Sequence, residues 1–576
     1  MKRVPFFDNP MLRGQLPTWR ARLVLVMLFA GFAALAGRAL YLQGLSTEFL
    51  QQQGERRYER TLTLSATRGK IVDRNGVVLA SSVPARAIWT IPEDTKPATA
   101  EQLTQLAKLL GLSMADLRSR LADVDRTFVY LKRQVPMEIA EQIKKLDIPG
   151  IHQQSETRRY YPDGVVTAHL LGFTNVEDHG QEGVELTFDK LLSGTPGSRR
   201  VIKDRLGRVI EDVQAVAPPV NGQDLSLSID ARLQYLVYRE LGAAVEKHKA
   251  SAASAIIMDV RTGEILALAS LPTFDPNNRD TFHTPNLRNR AITDTFEPGS
   301  IMKPFTAALA LDLGRITSST QFQTGNGAFR YQGSTIHDVS RNGTLDVAGV
   351  LRRSSNIGMT LISEKLQSRE MWERFTELGF GRAPQLGFPG AAPGRLRPWN
   401  RWRLIEKATM AYGYGLSVSL LQVARAYTVF ARNGDMVTPT LVKRDSDPTS
   451  VKVYSPEVAT LVRGMLEAAA GPTGTKAAQV QGYRVAGKSG TARKIVDGKY
   501  STKRYRSSFV GFAPVSDPRI VVAVSVDEPT VGGYYGGAVA APVFSTIMGG
   551  SLRMMGVQPD APFKSTVVAE LQEDAR

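Results

Sequence analysis

A long apolar run stands near the start of the chain: Leu23 to Gly37 carries no charge, and the apolar character continues past Arg38 to Leu42. Wound as a helix, positions 23–42 span about 30 Å, roughly one bilayer core. Lys2, Arg3, Arg13, Arg20 and Arg22 precede the run against a single Asp8. The positive-inside rule then predicts a cytoplasmic N-terminus, with everything after Leu42 exported. Trp19 and Tyr41 fall where interfacial aromatics belong, and Arg38 can extend its head outward. Ala34-Leu35-Ala36 has the form of a signal-peptide cleavage site, but the apolar run outlasts it, which favours a retained anchor.

From Thr61 the pattern shortens to strands and turns. Thr61-Leu62-Thr63-Leu64 alternates, and Asp73-Arg74-Asn75-Gly76 offers turn chemistry before Val77-Val78-Leu79. Leu103, Leu106 and Leu110 share one face of a helix predicted from Thr99 to Leu110, closed by Gly111. Ser113 and Asp116 have capping-box spacing for a second helix toward Leu121. Asn175 to Gly197, rich in Gly, Asp and Glu, pairs no nucleophile with a base, so the N-terminal part reads as an interaction or spacing module.

Val216 to Gly222 has the Pro and Gly punctuation of a boundary. Beyond it Asp230 can cap a helix through Leu233, Leu236, Val237 and Leu241. Ala255 to Met258 and Ile265 to Leu268 flank Thr262-Gly263 as an antiparallel hairpin. Ser508 to Phe512 and Ile520 to Val526 read as late strands, with helices at Met302 to Leu313 and Gln422 to Phe430 between. Strands at both ends with helices between predict an α+β domain. The polar stretch after Val557 reads as a loose tail.

Composition narrows the chemistry. Hydrophobic residues at 43% and charged residues at 22% are ordinary for globular protein and argue against wholesale disorder. No cysteine is present among 576 residues, which removes disulfides, thiolate metal sites and a cysteine nucleophile together. It also suits an oxidising compartment. The net charge of +17 permits attraction to anionic membrane or wall polymers. No long Lys/Arg run carries interleaved aromatics, so nucleic acid is not an expected partner. Six scattered histidines give no zinc spacing and no P-loop string occurs, so neither metal nor cofactor is expected.

Three short strings remain: Ser300-Ile301-Met302-Lys303, Ser354-Ser355-Asn356 and Lys488-Ser489-Gly490-Thr491. In that order they match the S-x-x-K, S-x-N and K-[ST]-G set of serine acyl-transferases. After Pro298-Gly299, Ser300 is expected in the first turn of an apolar helix, its backbone N–H free to meet a developing oxyanion. Lys303 lies one turn away on the same face, within reach of the Ser300 hydroxyl. Pro304 is tolerable this close to the helix start. A lysine near pKa 10.4 accepts no proton at neutral pH, but burial and a second cation lower that value, and Lys488 is a candidate for the cation.

Ser340-Arg341-Asn342 also fits S-x-N but runs into Gly343 and reads as a turn. In the chosen string, Ser354 would pass protons between Lys303 and the leaving amine, while Asn356 would hold the Lys303 side chain and the substrate amide. In the third string Gly490 would let a substrate backbone approach closely and the Thr491 N–H would supply the second oxyanion donor. Lys488 and Ser489 would bind a substrate carboxylate. His337-Asp338 invites a Ser-His-Asp triad, yet an adjacent pair more often decorates a polar loop.

With these motifs the sequence resembles the class B penicillin-binding proteins, the division-specific peptidoglycan D,D-transpeptidases of penicillin-binding protein 3 type. The likeness includes Arg68 to Gly76, Gly183-Val184-Glu185, Glu297-Pro298-Gly299-Ser300, Ala411 to Val418 with its Tyr-Gly-Tyr-Gly string, and Gly532 to Gly537. The resemblance implies an α+β fold with a single transmembrane helix, an elongated, mostly β pedestal and a transpeptidase domain whose antiparallel sheet is flanked by helices. The limits it implies are 1–22 for a cytoplasmic tail, 23–42 for the anchor, 43–222 for the dimerisation-type pedestal, 223–556 for the transpeptidase and 557–576 for a tail.

It also implies that Ser300 attacks the penultimate D-Ala carbonyl of a stem pentapeptide, releasing D-Ala, and that β-lactams acylate the same serine. Tyr414 joins the substrate-binding residues on this ground. Implied partners are stem pentapeptides, lipid-linked precursor strands, a septal glycosyltransferase and other division proteins, in an inner-membrane setting with the catalytic domain periplasmic. The acylation motifs alone leave open a D,D-carboxypeptidase, a β-lactamase, or a β-lactam sensor or division scaffold.

Overall fold

The computed structural model describes residues 17–42, 59–64, 66–126, 128–203 and 209–562. Two compact units are present. One draws on the chain up to Ala66 and on Thr195–Asn221; the other is built from Thr67–Gly194 and the chain from Gly222 onward.

In the first unit the N-terminal helix runs Thr18–Leu40, and none of its residues is buried. Strands Glu59–Leu64, Gly197–Lys203 and Val209–Ala217 form an antiparallel sheet with Gly197–Lys203 in the middle.

In the second unit, the part before Gly194 centres on the long strand Val78–Thr90, paired antiparallel with Val129–Pro136 and Ile151–Tyr160. The predicted helix appears as Ala100–Leu110, with a Thr99 capping box and Gly111 closing it in the left-handed region at φ 62. Leu106 and Leu110 are buried, with Leu103 packed alongside. The second helix is Met114–Leu121, capped by Ser113. The Asp73–Gly76 turn has a further use: the Asp73 carboxylate accepts from the Ala231 N–H, and Asn75 donates to Asp230. It therefore ties down the start of a helix 155 residues later.

That helix, Ala231–His248 (α1), is capped by Asp230 as predicted. The hairpin follows as β1 (Ala252–Asp259) and β2 (Ile265–Leu271). Then come α2 (Lys303–Asp312), α3 (Asn356–Glu364) and α4 (Leu420–Ala431). The last elements are β3 (Ala486–Val496), β4 (Lys499–Ala513), β5 (Ile520–Asp527) and α5 (Gly536–Met554). All five strands pair antiparallel in the order β2-β1-β5-β4-β3, so β3 is an edge.

Alternation along the strands feeds two cores. Ala255 and Ile257 of β1 with Val522 and Val524 of β5 pack against helices α1 and α5 through Val237, Leu241, Phe544 and Ile547. Ile256, Met258, Val521 and Ala523 point the other way, onto Phe305 and Leu309 of α2 and Tyr427 and Phe430 of α4. Because both faces are covered, these strands read as unbroken apolar runs.

The expected loose tail is corrected at its beginning. Asp560 accepts from the Arg484 and Ser516 backbone N–H groups, and the Ala561 N–H donates to the Gly482 carbonyl. One carboxylate satisfies two loop donors, which pins the chain through this point. The tail from 563 on lies outside the described residues.

Candidate active site

Ser300 sits on a 3-10 turn, Gly299–Met302, that leads straight into α2, with Lys303 as the first helical residue and Pro304 the second. The predicted α-helical first turn is thus wound tighter, and Gly299 supplies φ 58, which a side chain would resist. Three bonds hold the turn from below. The Gly299 N–H donates to the Gly413 carbonyl at 3.0 Å, Tyr427 donates to the Ile301 carbonyl at 2.8 Å, and Thr306 donates to the Ala411 carbonyl at 3.1 Å.

Edge strand β3 crosses directly over this turn. A Cβ at Gly490 would lie 2.5 Å from Ser508 Oγ, 3.0 Å from Ile301 Cγ2 and 3.1 Å from the Pro298 carbonyl oxygen. A side chain there would press on Ser508 of the neighbouring strand and on the nucleophile turn. Thr491 spends its hydroxyl on the Gly536 N–H at the start of α5, 2.9 Å away. Ser489 is half-buried on the same strand face, 3.4 Å from the Thr475 hydroxyl.

Between these elements Ser354 stands with φ 55, left-handed for a residue with a side chain. Such backbone costs on the order of 1–3 kcal/mol and persists where neighbours enforce it. Its hydroxyl accepts from Lys303 Nζ and from Lys488 Nζ, both at 3.1 Å. Lys303 Nζ also donates to the Ser354 carbonyl, and Lys488 Nζ to the Ser489 carbonyl at 3.1 Å. Among the described residues the Ser300 hydroxyl has no hydrogen bond to Lys303; the lysine faces Ser354 instead.

Both lysines are fully enclosed, at 0% and 3% exposure. Burial, and then the nearby charge of Lys488, push Lys303 well below the ordinary lysine value, partly opposed by Asp338. Burial pushes Lys488 down to about 8. A neutral Lys303 has two N–H bonds and one lone pair. Its two donors are committed to Ser354, so the lone pair is what remains for a hydroxyl proton. Ser354 Oγ likewise has both lone pairs occupied, leaving its own hydrogen to donate.

Asn356 begins α3, but its cap is Ser355. The Asn356 carboxamide donates to the His337 carbonyl at 2.9 Å rather than holding Lys303, a correction that follows from Ser354 occupying the lysine's donors. Asp338 is the residue that sequence reasoning undervalued. Its carboxylate accepts from the Ser355 hydroxyl, the Asn356 N–H and the Ile357 N–H at 2.5–3.0 Å, and so ties the S-x-N turn and the start of α3 together. No local pattern marks these three bonds, whose donors lie 17 or more positions away; the Asn342 carboxamide, four positions on, adds a longer one at 3.4 Å. Tyr414 is half-buried, its ring edge-on to Tyr500 at 5.7 Å and to Tyr412 at 6.1 Å.

A family model for the penicillin binding protein transpeptidase domain matches residues 253–549, and one for the penicillin-binding protein dimerisation domain matches residues 63–227. The chain is a penicillin-binding protein. It is 43% identical to the peptidoglycan D,D-transpeptidase FtsI of Escherichia coli K12, covering 94% of this chain and 93% of that one. It is 41% identical to the probable peptidoglycan D,D-transpeptidase PenA of Neisseria meningitidis serogroup A, covering 95% of both. Among solved structures, the transpeptidase domain of Burkholderia pseudomallei penicillin-binding protein 3 is 54% identical, with TM-score 0.55, over 58% of this chain and 98% of that domain.

The family places the three strings in a transpeptidase domain of penicillin-binding type. The N-terminal helix of this penicillin-binding protein is long and apolar enough to cross a membrane, which fits a membrane-anchored protein.

Proposed function

We propose that this penicillin-binding protein is a peptidoglycan D,D-transpeptidase that cross-links stem peptides at the division septum. The observation that carries the reading is the Ser354 hydroxyl held between two buried lysine amines beside the Ser300 turn. The Lys303 lone pair takes the Ser300 proton as Oγ bonds to the penultimate D-Ala carbonyl carbon. The Ser300 and Thr491 N–H groups stabilise the oxyanion. The C–N bond then breaks, and the departing D-Ala amine takes a proton from Ser354, which Lys303 replenishes. An amine of a second stem attacks the ester, loses its proton along the same path, and returns Ser300 to its alcohol. Lys488 and Ser489 hold the terminal carboxylate, Asn356 the stem amide, and Tyr414 the cleft wall.

The N-terminus lies in the cytoplasm and the chain after Leu42 in the periplasm, anchored in the inner membrane. The pedestal takes 43–222 and the catalytic module 223–556, the anchor meeting a septal glycosyltransferase that supplies strands from lipid-linked precursors, with other division proteins nearby. Intact-mass analysis of the full chain with penicillin tests the site: one adduct on the native protein, none on Ser300→Ala. An adduct surviving Ser300→Ala removes the assignment. Release of D-Ala from a stem pentapeptide without any cross-linked dimer, in the presence of acceptor, points to a carboxypeptidase instead.

A further inference from the structure

Residues 378–405 hold five arginines, Arg382, Arg395, Arg397, Arg401 and Arg403, and neither Asp nor Glu. The fold gathers these charges on one surface. On α4, the buried carboxamide nitrogen of Gln422 lies 2.9 Å from each of the Gly379, Arg382 and Pro393 carbonyl oxygens. A Cβ on Gly381 would lie 2.9 Å from Leu396 Cβ, so the chain before Arg382 runs against the chain between Arg395 and Arg397. Trp402 Nε1 donates to the Arg397 carbonyl at 2.9 Å, which folds the Trp399–Arg401 turn back beside them.

Little in the chain neutralises them. Glu406 meets Arg397 at 2.9 Å and Arg403 at 3.5 Å. Arg382, Arg395 and Arg401 are exposed and have no ion pair among the described residues. Like charges crowded on one surface repel each other and attract an anionic partner. Their place in the fold is fixed as well. The Arg395 N–H donates to the Ser417 carbonyl at 2.8 Å, and the Ser417 N–H to the Arg395 carbonyl at 2.9 Å. Ser417 lines, with Glu297, a cavity of about 210 Å³ beside the nucleophile segment, and none of the five arginines lines it. The basic surface thus starts at the end of the cleft and lies outside it.

Resting on the transpeptidase reading above, we propose that this surface holds the part of a peptidoglycan strand that runs past the cleft, by pairing with the carboxylates of its uncross-linked stem peptides. A strand offers one stem to Ser300 at a time, and the neighbouring stems must then lie beyond the ends of the cleft. Each uncross-linked stem ends in a free carboxylate, so the strand is a repeating anion. An exposed guanidinium suits such a group, because its fork of N–H donors matches the two oxygens of a carboxylate. A strand held in the cleft and on this surface together is retained longer than at either place alone, with no new contact at the reacting atoms.

The test uses the full chain in detergent, first acylated with penicillin so that the cleft is filled. Soluble uncross-linked strands are then titrated by fluorescence anisotropy. Strands with free carboxylates should bind about tenfold or more tighter than the same strands with their carboxylates amidated, the scale of several exposed ion pairs together. The preference should fade as salt is raised. The triple variant Arg382→Gln, Arg395→Gln, Arg401→Gln, acylated likewise and checked for its fold by circular dichroism, should lose it. Equal binding of free and amidated strands overturns the proposal. So does a preference that survives the triple variant, which would assign the attraction to the charge of the whole protein. A preference in the native protein that salt leaves unchanged overturns the pairing without recourse to any variant. Phosphatidylglycerol bicelles that displace the strands at equal charge overturn it in favour of a lipid surface. Native protein that forms no penicillin adduct overturns the transpeptidase reading, and this inference with it.

Discussion

Gly413 and Gly299 meet backbone to backbone: the Gly299 N–H donates to the Gly413 carbonyl at 3.0 Å, and a Cβ on Gly413 would lie 2.1 Å from the Gly299 carbonyl oxygen. Gly413 also holds φ 90, where a side chain is strained. The Tyr-Gly-Tyr-Gly string is therefore a seat for the nucleophile turn. Gly413→Ala should displace Ser300 and lower the penicillin acylation rate about a hundredfold, the scale attached to misplacements near 1 Å. Stopped-flow acylation checks it; a rate within threefold of native would show that the turn is held by other contacts.

The lysine pair sets a bell-shaped pH profile. Neutral Lys303 is the working base, so acylation falls as pH drops below its lowered pKa. Lys488 is the working cation, so the rate falls again as pH rises past about 8. Lys488→Gln removes the charge that helps depress Lys303. The acid limb should then move to higher pH and the alkaline limb near 8 should vanish, with the plateau lowered roughly tenfold or more. An acid limb that stays in place would show that burial alone sets the base.

Asp338 predicts the opposite sign. It raises Lys303 against the other causes, so Asp338→Asn should let Lys303 fall further and move the acid limb to lower pH. The same change weakens the charge-assisted bonds to the Ser355 hydroxyl and to the Asn356 and Ile357 N–H groups. A stability loss of about 2 kcal/mol is expected by denaturant titration. Displacement of the acid limb in the same direction as for Lys488→Gln would refute the electrostatic account.

What the sequence made legible was local. The Thr99 cap, the Gly111 stop, the Asp230 cap and the Gly263 hairpin each depend on residues within a few positions, and each appears where its pattern puts it. The S-x-x-K spacing likewise put Ser300 and Lys303 one turn apart. It carried no information that Ser354, 51 positions on and held at φ 55, would take up the lysine's donors. The packing around Gly490 and the bonds of Asp338 were out of its reach for the same reason. Their roles depend on where another segment passes through space, over Pro298 in one case and against Asn356 in the other. Periodicity and capping have no access to such encounters.

The same limit applies to Glu185, part of a string whose likeness to the family said nothing of its partners. Its Oε2 meets Arg68 Nε and its Oε1 meets Arg159 Nε, each at 2.7 Å, with all three side chains at 1% exposure or less. Arg68 has alternatives in Asp189, Ser193 and the Asp178 carbonyl. Arg159 has no other ion pair among the described residues, and its Nη2 is already buried without a partner. Glu185→Ala thus strands one buried guanidinium and should destabilise the protein by roughly 3–5 kcal/mol. Adding Arg159→Met removes the stranded charge and should recover part of that loss, because the two positions are coupled. Denaturant curves for the two single variants and the double variant measure this. Strict additivity of the two losses would show that the pair does not interact. Acylation per folded molecule should remain native throughout, since no atom of this network touches Ser300, Lys303 or Ser354.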